Sequence, residues 1–145
     1  MNREIKFRGK RLKDGKWVYG QHFTSYHTTP DEARHIIREI VPEPEPEHDV
    51  DPATVGQYTG LKDRGGREIY EGDVVRFHFM CASTDIPKSG LYPTEEFIGI
   101  VTLDAYFHTC ILSNKMEIHI ENAVKYGEVI GNIHDNPDFT KTRER

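Results

Sequence analysis

Turn-forming and strand-forming residues alternate through residues 55–75, whose sequence is VGQYTGLKDRGGREIYEGDVV. The stretches KDRGG and EGD are typical of tight turns, because glycine adopts positive φ and an aspartate side chain accepts hydrogen bonds from nearby backbone N–H groups. The tyrosine, isoleucine and valine residues around them favour strands. The block predicts compact β structure with seven structural turn residues: Gly60, Asp63, Gly65, Gly66, Glu71, Gly72 and Asp73.

The chain contains no motif that is typical of catalysis. The carboxylates Asp63, Glu68, Glu71 and Asp73 could serve acid–base chemistry or hold a divalent cation, but their places beside glycines favour turn formation. The eight histidines show no HExxH or HxH spacing, and no CxxC pair is present to bind a metal. We therefore expect a non-enzymatic protein with no metal and no cofactor.

The length and composition indicate a folded protein rather than a disordered one. The 145 residues, of which 36% are hydrophobic, suffice for one domain or two small β units. Cys81 and Cys110 are the only cysteines, and we expect both to be reduced. No apolar run reaches the ~18 residues of a membrane span, and residues 2–16 lack the apolar core of a signal peptide. The expected location is the cytoplasm, with no membrane binding.

Charge is distributed unevenly beneath the net charge of −5: residues 3–16 are mainly basic and residues 31–51 mainly acidic. The favoured interpretation is that both are solvated edges and loops that prevent strand pairing. Alternatively, the two segments meet within the chain or between copies. A further alternative is a nucleic-acid surface, because cations interleaved with stacking rings bind single strands. Its residues are Lys6, Arg8, Lys10, Arg11, Trp17 and Tyr19.

A Lys-Asp-Gly-Lys sequence at residues 13–16 lies between two strand-like segments and predicts a β-hairpin. If its central Asp-Gly pair forms the whole loop, Lys10 lies opposite Tyr19 and Leu12 opposite Trp17. The stem of Lys10 would then cover an aromatic ring while its ammonium group stays in water.

Residues 29–41 permit two interpretations. TPDE at 29–32 is a capping box with proline at the first helical position, whereas the β-branched residues among 36–41 suit a strand. PEPEPE at 42–47 predicts an exposed loop, since proline lacks an N–H group and the glutamates repel one another. Asp51 followed by proline predicts one capped helical turn.

The second half of the chain predicts a series of strands, at residues 74–80, 97–103, 106–112, 116–120 and 129–133. Between the first two lies a loop at 81–96, which we expect to be mobile. This order resembles a small SH3-like barrel. The predicted fold is mainly β, with an N-terminal hairpin-based sheet that carries the acidic loop (1–62), a C-terminal small SH3-like barrel (63–139) and a flexible tail (140–145).

Five stretches resemble the YopX family: REIKFR at 3–8, KWVYG at 16–20, VDPATVGQYTGLKD at 50–63, EIYEGDVV at 68–75 and EVIGNIHDNP at 128–137. They occur in the family's order, and the central block is specific. The resemblance implies a small, mostly-β protein encoded by a bacteriophage or prophage, with no established biochemical role. It also suggests a strand near residues 35–41, so we expect a helical turn at 30–33 followed by a strand.

The expected function is that of an accessory or adaptor protein in the cytoplasm of a bacterial host. We expect it to bind an unidentified protein partner and to self-associate, by strand addition at an exposed sheet edge. The alternative is a nucleic-acid-binding module that uses the basic hairpin.

Overall fold

The protein is mainly β and divides into two compact units, unit 1 (residues 1–60) and unit 2 (residues 61–145). The structure, a computed structural model, describes residues 4–25, 33–80, 94–103, 109–112, 117–119 and 127–141. The predicted division lay at residues 62/63. Each unit has its own cluster of buried apolar side chains, so each is described by itself.

The described strands form two antiparallel sheets. The first has the order β4-β3-β2-β1-β5-β6, from β1 (Phe7–Lys10), β2 (Trp17–Ser25), β3 (Arg34–Arg38), β4 (Glu47–Asp49), β5 (Gly56–Lys62) and β6 (Glu68–Tyr70). The second has the order β10-β9-β8-β7-β11, from β7 (Asp73–Met80), β8 (Thr94–Leu103), β9 (Thr109–Leu112), β10 (Glu117–His119) and β11 (Glu128–Asn132). A 3₁₀ turn (Pro52–Thr54) precedes β5, and a short helix α1 (Asp138–Lys141) follows β11.

Strand β2 is shared between two neighbours in unit 1. Its first four residues pair with β1, and residues 21–25 pair with β3. The sheet curls, because Val50 at the end of β4 forms a bridge with Arg11 at the end of β1. Gly20 stands where β2 changes partner, and a Cβ atom there would lie 1.9 Å from the carbonyl oxygen of Arg38. Only glycine permits this approach of the two backbones.

The curl of the sheet encloses the core of unit 1. Val18, Ile37 and Val50 are buried together, with Phe7 and Val55 packed against them. These side chains come from different strands and from the 3₁₀ turn region, so the core holds the hairpin β1–β2 against β3 and β4. The 3₁₀ turn is capped by Asp51, whose carboxylate accepts a hydrogen bond from the Ala53 N–H group, as predicted.

The β1–β2 hairpin has a register that differs from the predicted one. Lys10 lies opposite Trp17 and Arg8 opposite Tyr19, a shift of two residues. The reason is a longer loop, closed by a hydrogen bond from the Arg11 N–H group to the Lys16 carbonyl (2.9 Å). Because the shift is even, the same side chains still share a face.

The ambiguous segment 29–41 contains a strand, β3, as we expected. Residues 30–32 of the predicted helical turn lie outside the described residues. The proline–glutamate segment is an exposed loop, also as predicted, and it connects β3 to β4.

Unit 2 is built on the five-stranded sheet. Ile69, Val75, Phe77 and Val101 form its buried core, and Leu61, Phe97 and Val129 pack against them. The rings of Phe77 and Phe97, which lie opposite each other on β7 and β8, are stacked with centroids 5.6 Å apart.

The predicted SH3-like barrel is not confirmed, since the described strands of unit 2 form an open sheet. Its last strand, β11, pairs with β7 at one edge, and β10 pairs with β9 at the other. A register shift between Val129 and Gly131 interrupts the β11–β7 pairing. Residues 81–93 of the predicted mobile loop, residues 106–108, Met116 and Ile120 of the predicted strands, and tail residues 142–145 lie outside the described part.

Gly20→Ala should destabilise the protein by about 3 kcal/mol or more, because the added methyl group overlaps a backbone carbonyl that cannot withdraw without breaking β3. Gly15→Ala is the matched control: Gly15 has φ +72° with no atom within 4 Å of the added Cβ, so only the ~1–2 kcal/mol cost of a left-handed conformation applies. Urea unfolding followed by the fluorescence of Trp17 measures both. Equal losses would contradict the close approach at Gly20.

Candidate functional site

Residues 55–75 are here called the signature block, and the turn at residues 63–67 the signature turn. Asp63 begins this turn, and Asp73 follows a second turn at residues 71–72. The Asp63 carboxylate accepts three backbone hydrogen bonds: from Gly65 (2.9 Å), from Arg67 (2.9 Å) and from Val129 on β11 (3.0 Å). Two of these close its own turn, and the third reaches a strand 66 residues later. Asp63 therefore fixes the turn and anchors the last strand at once.

Neighbours of Asp63 occupy the outer edge of β11. The Arg64 N–H group donates to the Gly127 carbonyl (3.0 Å), and the Arg67 guanidinium donates to the Val129 carbonyl (3.3 Å). Free backbone groups on an edge strand invite pairing with another chain. The signature turn occupies the Gly127–Val129 part of this edge, which makes β11 a poor place for the strand addition that we expected.

Burial by itself would raise the pKa of the Asp63 carboxyl. The hydrogen bonds from Val129, Arg67 and Gly65, together with the nearby Arg67 charge, outweigh burial and hold this pKa below its usual value of 3.8. Hydrogen bonds to a carboxylate favour its charged form. Asp63 is thus an ionised structural group at neutral pH, with its lone pairs directed at the backbone.

The second signature turn joins β6 to β7. Buried Asp73 accepts a hydrogen bond from the Tyr70 N–H group at 2.8 Å, and Gly72 has φ +90°. Gly72 also donates to the Val101 carbonyl (2.9 Å) and accepts from Ile133 (3.0 Å). Three of the remaining predicted turn residues lie in the same turns: Gly65 and Gly66 (φ +84°) follow Asp63, and Glu71 precedes Gly72. Gly60, which also has φ +84°, lies within strand β5 and not in a turn, so its predicted place was wrong.

The predicted nucleic-acid surface lies on the outer face of the β1–β2 hairpin. The guanidinium carbon of Arg8 is 4.5 Å and the ammonium nitrogen of Lys10 5.4 Å from the centroid of the Trp17 ring. Arg8 is only 6% exposed, whereas Tyr19 is 46% exposed. The hairpin brings these four side chains together, but its own cations already cover the Trp17 ring.

The other two predicted nucleic-acid residues are engaged within unit 1. The Lys6 ammonium lies 3.5 Å from Glu4 and 4.9 Å from the centroid of the Tyr58 ring, and its side chain is 17% exposed. Arg11 donates to both carboxylate oxygens of Asp14. The structure therefore places five of the six residues on one face and Arg11 in the turn.

Two histidines stack inside the curl of unit 1. The rings of His22 and His35 are nearly parallel, with centroids 5.3 Å apart and a 3.1 Å contact between Nε2 of His22 and Nδ1 of His35. Burial first, and the neighbouring His35 second, lower the pKa of His22 below its usual 6.5. This contact is a hydrogen bond only if one ring donates and the other accepts. It therefore forms only when at least one of the two rings is neutral, because a protonated imidazole has no acceptor nitrogen.

An open depression of about 690 Å³ lies at one end of unit 1. Residues from the β1–β2 turn, the start of β3 and strand β4 line it, including Arg11, Lys13, His35 and His48. Nε2 of His48 lies 3.3 Å from a carboxylate oxygen of Glu39, and Nδ1 lies 3.4 Å from the Arg11 guanidinium. Because a guanidinium only donates, the contact with Arg11 uses Nδ1 of His48 as the acceptor and leaves Nε2 to face Glu39.

The connection from β3 to β4, here called the acidic loop (residues 39–46), exposes two aliphatic side chains. Ile40 is 57% and Val41 45% exposed. The loop is closed at its base by a hydrogen bond from the Glu39 N–H group to the Pro46 carbonyl (3.0 Å). Arg38 braces it further by pairing with Glu47 on β4 and lying 3.8 Å from Glu45.

From the sequence, an exposed connector was the favoured interpretation of this loop, and contact between the acidic segment and a basic segment or partner was the alternative. The available signal for a binding role was the aliphatic pair Ile40-Val41 directly before the proline run, because the prolines prevent a regular strand and leave this pair in an exposed loop.

Other kinds of site find no support in the described part of the chain. Its histidine, cysteine, aspartate and glutamate side chains form no cluster of three or more that could hold a metal ion. None of its helices has the length and apolar character needed to cross a membrane.

Comparisons with known proteins identify the family and the fold. The family model described as YopX protein matches residues 6–140. The crystal structure of protein EF1440 from Enterococcus faecalis has a TM-score of 0.52 and 16% sequence identity, with 95% of this chain and 99% of that chain covered. At that identity the likeness shows the fold alone. No curated protein matches this chain.

Asp63→Asn should destabilise the protein by about 1–3 kcal/mol at pH 7, since a carboxylate that accepts three N–H groups is replaced by one carbonyl oxygen and an NH₂ group. The lowered pKa of Asp63 in the folded state means that its contribution is complete above about pH 4 and is lost as the pH falls through that lowered value. The difference between wild type and variant should therefore shrink in acid.

Urea unfolding at pH 7 and at successively lower pH measures this difference. Glu43→Gln, measured at a protein concentration too low for self-association, is the control, because the exposed Glu43 makes no described contact within one chain and its neutralisation should change stability by less than about 0.5 kcal/mol. A constant difference across the acid range would show that Asp63 does not carry the charge-dependent anchor.

Proposed function

This chain belongs to the YopX family, and we propose that it is a non-enzymatic accessory protein that acts by binding another protein. The observation that carries the proposal is the acidic loop, where Ile40 and Val41 stand in solvent on a segment closed at its base. A fixed loop loses little conformational entropy when it docks, so its exposed aliphatic area converts efficiently into affinity.

The signature residues support a binding role over catalysis. The carboxylates of Asp63 and Asp73 accept backbone hydrogen bonds inside turns, which leaves them poorly placed to exchange protons with a substrate. We place the protein in the setting that its family resemblance implies, as a bacteriophage or prophage product in the cytoplasm of the bacterial host. The proposal requires no cofactor.

A second candidate function, binding of single-stranded nucleic acid, rests on a different observation. Tyr19 is exposed on the same strand face as Lys10 and the partly covered Trp17. An exposed ring beside a cation is the usual platform for a nucleic-acid base. This surface has few available cations, because Arg8 is buried and Arg11 is paired with Asp14.

The protein-binding role predicts that Ile40→Ser combined with Val41→Ser lowers affinity for the partner at least about tenfold, because burying even one such side chain is worth about 1.5–3 kcal/mol. The tagged protein and its variant are used to recover partners from the bacterial host, followed by titration of the recovered partner. Ile98→Ser is the control, since Ile98 is a similarly exposed aliphatic residue on β8 in unit 2. A partner bound equally by all three proteins would overturn the role of the loop.

The nucleic-acid alternative predicts salt-sensitive binding of a fluorescent oligothymidine that Lys10→Glu weakens at low salt. Lys62→Glu, an equal charge change on an exposed residue of β5, should leave the anisotropy titration unchanged. Absence of binding by the wild type, or an equal effect of both variants, would eliminate the β1–β2 face as the binding surface.

A further inference from the structure

The arginines at the end of unit 1 are all neutralised within the chain. Arg11 donates to both oxygens of Asp14, and Arg34 donates to both oxygens of Asp49 at 2.7–3.0 Å. Arg38 pairs with Glu47 and approaches Glu45. Planar guanidinium groups match carboxylates with two hydrogen bonds, so these pairs hold the bases of the turn and of the loop.

Charges of opposite sign remain at the two tips. In the part of the chain that the structure describes, Lys13 and Lys16 in the β1–β2 turn form no ion pair, and neither does Glu43 in the acidic loop. Each tip also exposes aliphatic area: Leu12 is 66% exposed beside Lys13, and Ile40 and Val41 precede Glu43. We call residues 11–16 the basic turn.

The basic turn and the acidic loop are neighbours on unit 1. His48 joins their bases, since its Nδ1 contacts Arg11 in the turn and its Nε2 contacts Glu39 in the loop. The depression described above lies beside them and includes Leu12, Lys13 and His48 in its lining. Two patches of opposite charge, each with exposed aliphatic area, therefore lie next to each other on one end of the same unit.

We propose that this end of unit 1 binds the same end of a second copy, with the basic turn of each copy on the acidic loop of the other. The inference rests on the proposed protein-binding role of the acidic loop and names the partner as another copy of this chain. A two-fold axis between the patches makes the surface self-complementary, because residue i of one copy meets residue j of the other and the reverse.

Charge and apolar area favour this occupant together. Lys13 of one copy meets Glu43 of the other twice in the dimer, while Leu12 covers Ile40 and Val41. Among the described residues of a single copy, no ion pair joins the basic turn to the acidic loop. Dimer formation therefore does not require such an internal pair to break. The charge pairs lie at the rim of the contact, so the dimer should weaken as salt rises.

The test is light scattering on size-exclusion chromatography of the full chain over a range of concentrations, at low and at high salt. Wild type should form a dimer that dissociates on dilution and in high salt. Lys13→Glu alone and Glu43→Lys alone should each raise the dimer dissociation constant at least about tenfold, because each brings like charges together at both contacts. Lys62→Glu is the charge control and should dimerise like wild type.

Mixing the two single variants is the decisive measurement. In a mixed dimer one contact joins the two substituted positions, and the other joins the native Lys13 of one chain to the native Glu43 of its partner. Both contacts therefore regain opposite charges, and the mixture should dimerise although neither variant does so alone. Differential labels on the two variants, read by energy transfer, identify the mixed species.

Either of two results would overturn the inference: a wild type that stays monomeric up to millimolar concentration, or a dimer whose dissociation constant ignores both charge reversals. The proposed function would stand after either result if wild type binds a different host protein and the Ile40→Ser, Val41→Ser variant does not. Loss of no partner at all by that variant would instead overturn the proposed function itself.

Discussion

The approach of the Gly20 backbone to the Arg38 carbonyl is the constraint on which unit 1 depends. At that point β2 leaves β1 and pairs with β3, and no room exists for a Cβ atom. The resulting curl encloses Val18, Ile37 and Val50 and returns the end of β4 to the end of β1. It thereby brings the basic turn and the acidic loop to one end of the unit, although they lie far apart in the sequence. The core and the proposed binding surface thus have the same geometric origin.

The distribution of charge in unit 1 follows the chemistry of the side chains. Arginines form the internal pairs, because a guanidinium can bind a carboxylate through two hydrogen bonds at a fixed distance. Lysines remain at the tip of the turn, where a flexible, strongly hydrated ammonium group is stable in water. The net charge of residues 31–51 is the same in the folded protein as in the sequence, but the pairs of Arg34 with Asp49 and of Arg38 with Glu47 occupy two of its carboxylates. What remains for a partner is a short segment with one unpaired glutamate and two aliphatic residues.

Alternation of residues was sufficient to predict most strands. Strand β3 was predicted instead from the β-branched residues Ile36 and Ile37 and from the family resemblance. The hairpin register was wrong because Asp14 uses its carboxylate to bind Arg11 and the Lys16 N–H group, which lengthens the loop. Alternation also indicated which hairpin side chains share a face, but burial of Arg8 depends on its surroundings in the folded chain and has no local signal. The open sheet of unit 2 could not be predicted, because it depends on β11 pairing with β7 from far along the chain.

The hydrogen bond from Val129 to Asp63 has a consequence for synthesis on the ribosome. The signature turn is translated long before β11. Until β11 is made, the Asp63 carboxylate lacks its hydrogen bond from Val129, and β7 lacks its pairing with β11. Non-local contacts of this kind form late, and an unpaired strand recruits other strands in the meantime. A chain truncated before residue 129 would therefore keep an unpaired edge on β7. We expect such a fragment to aggregate and to be bound by chaperones or degraded by proteases.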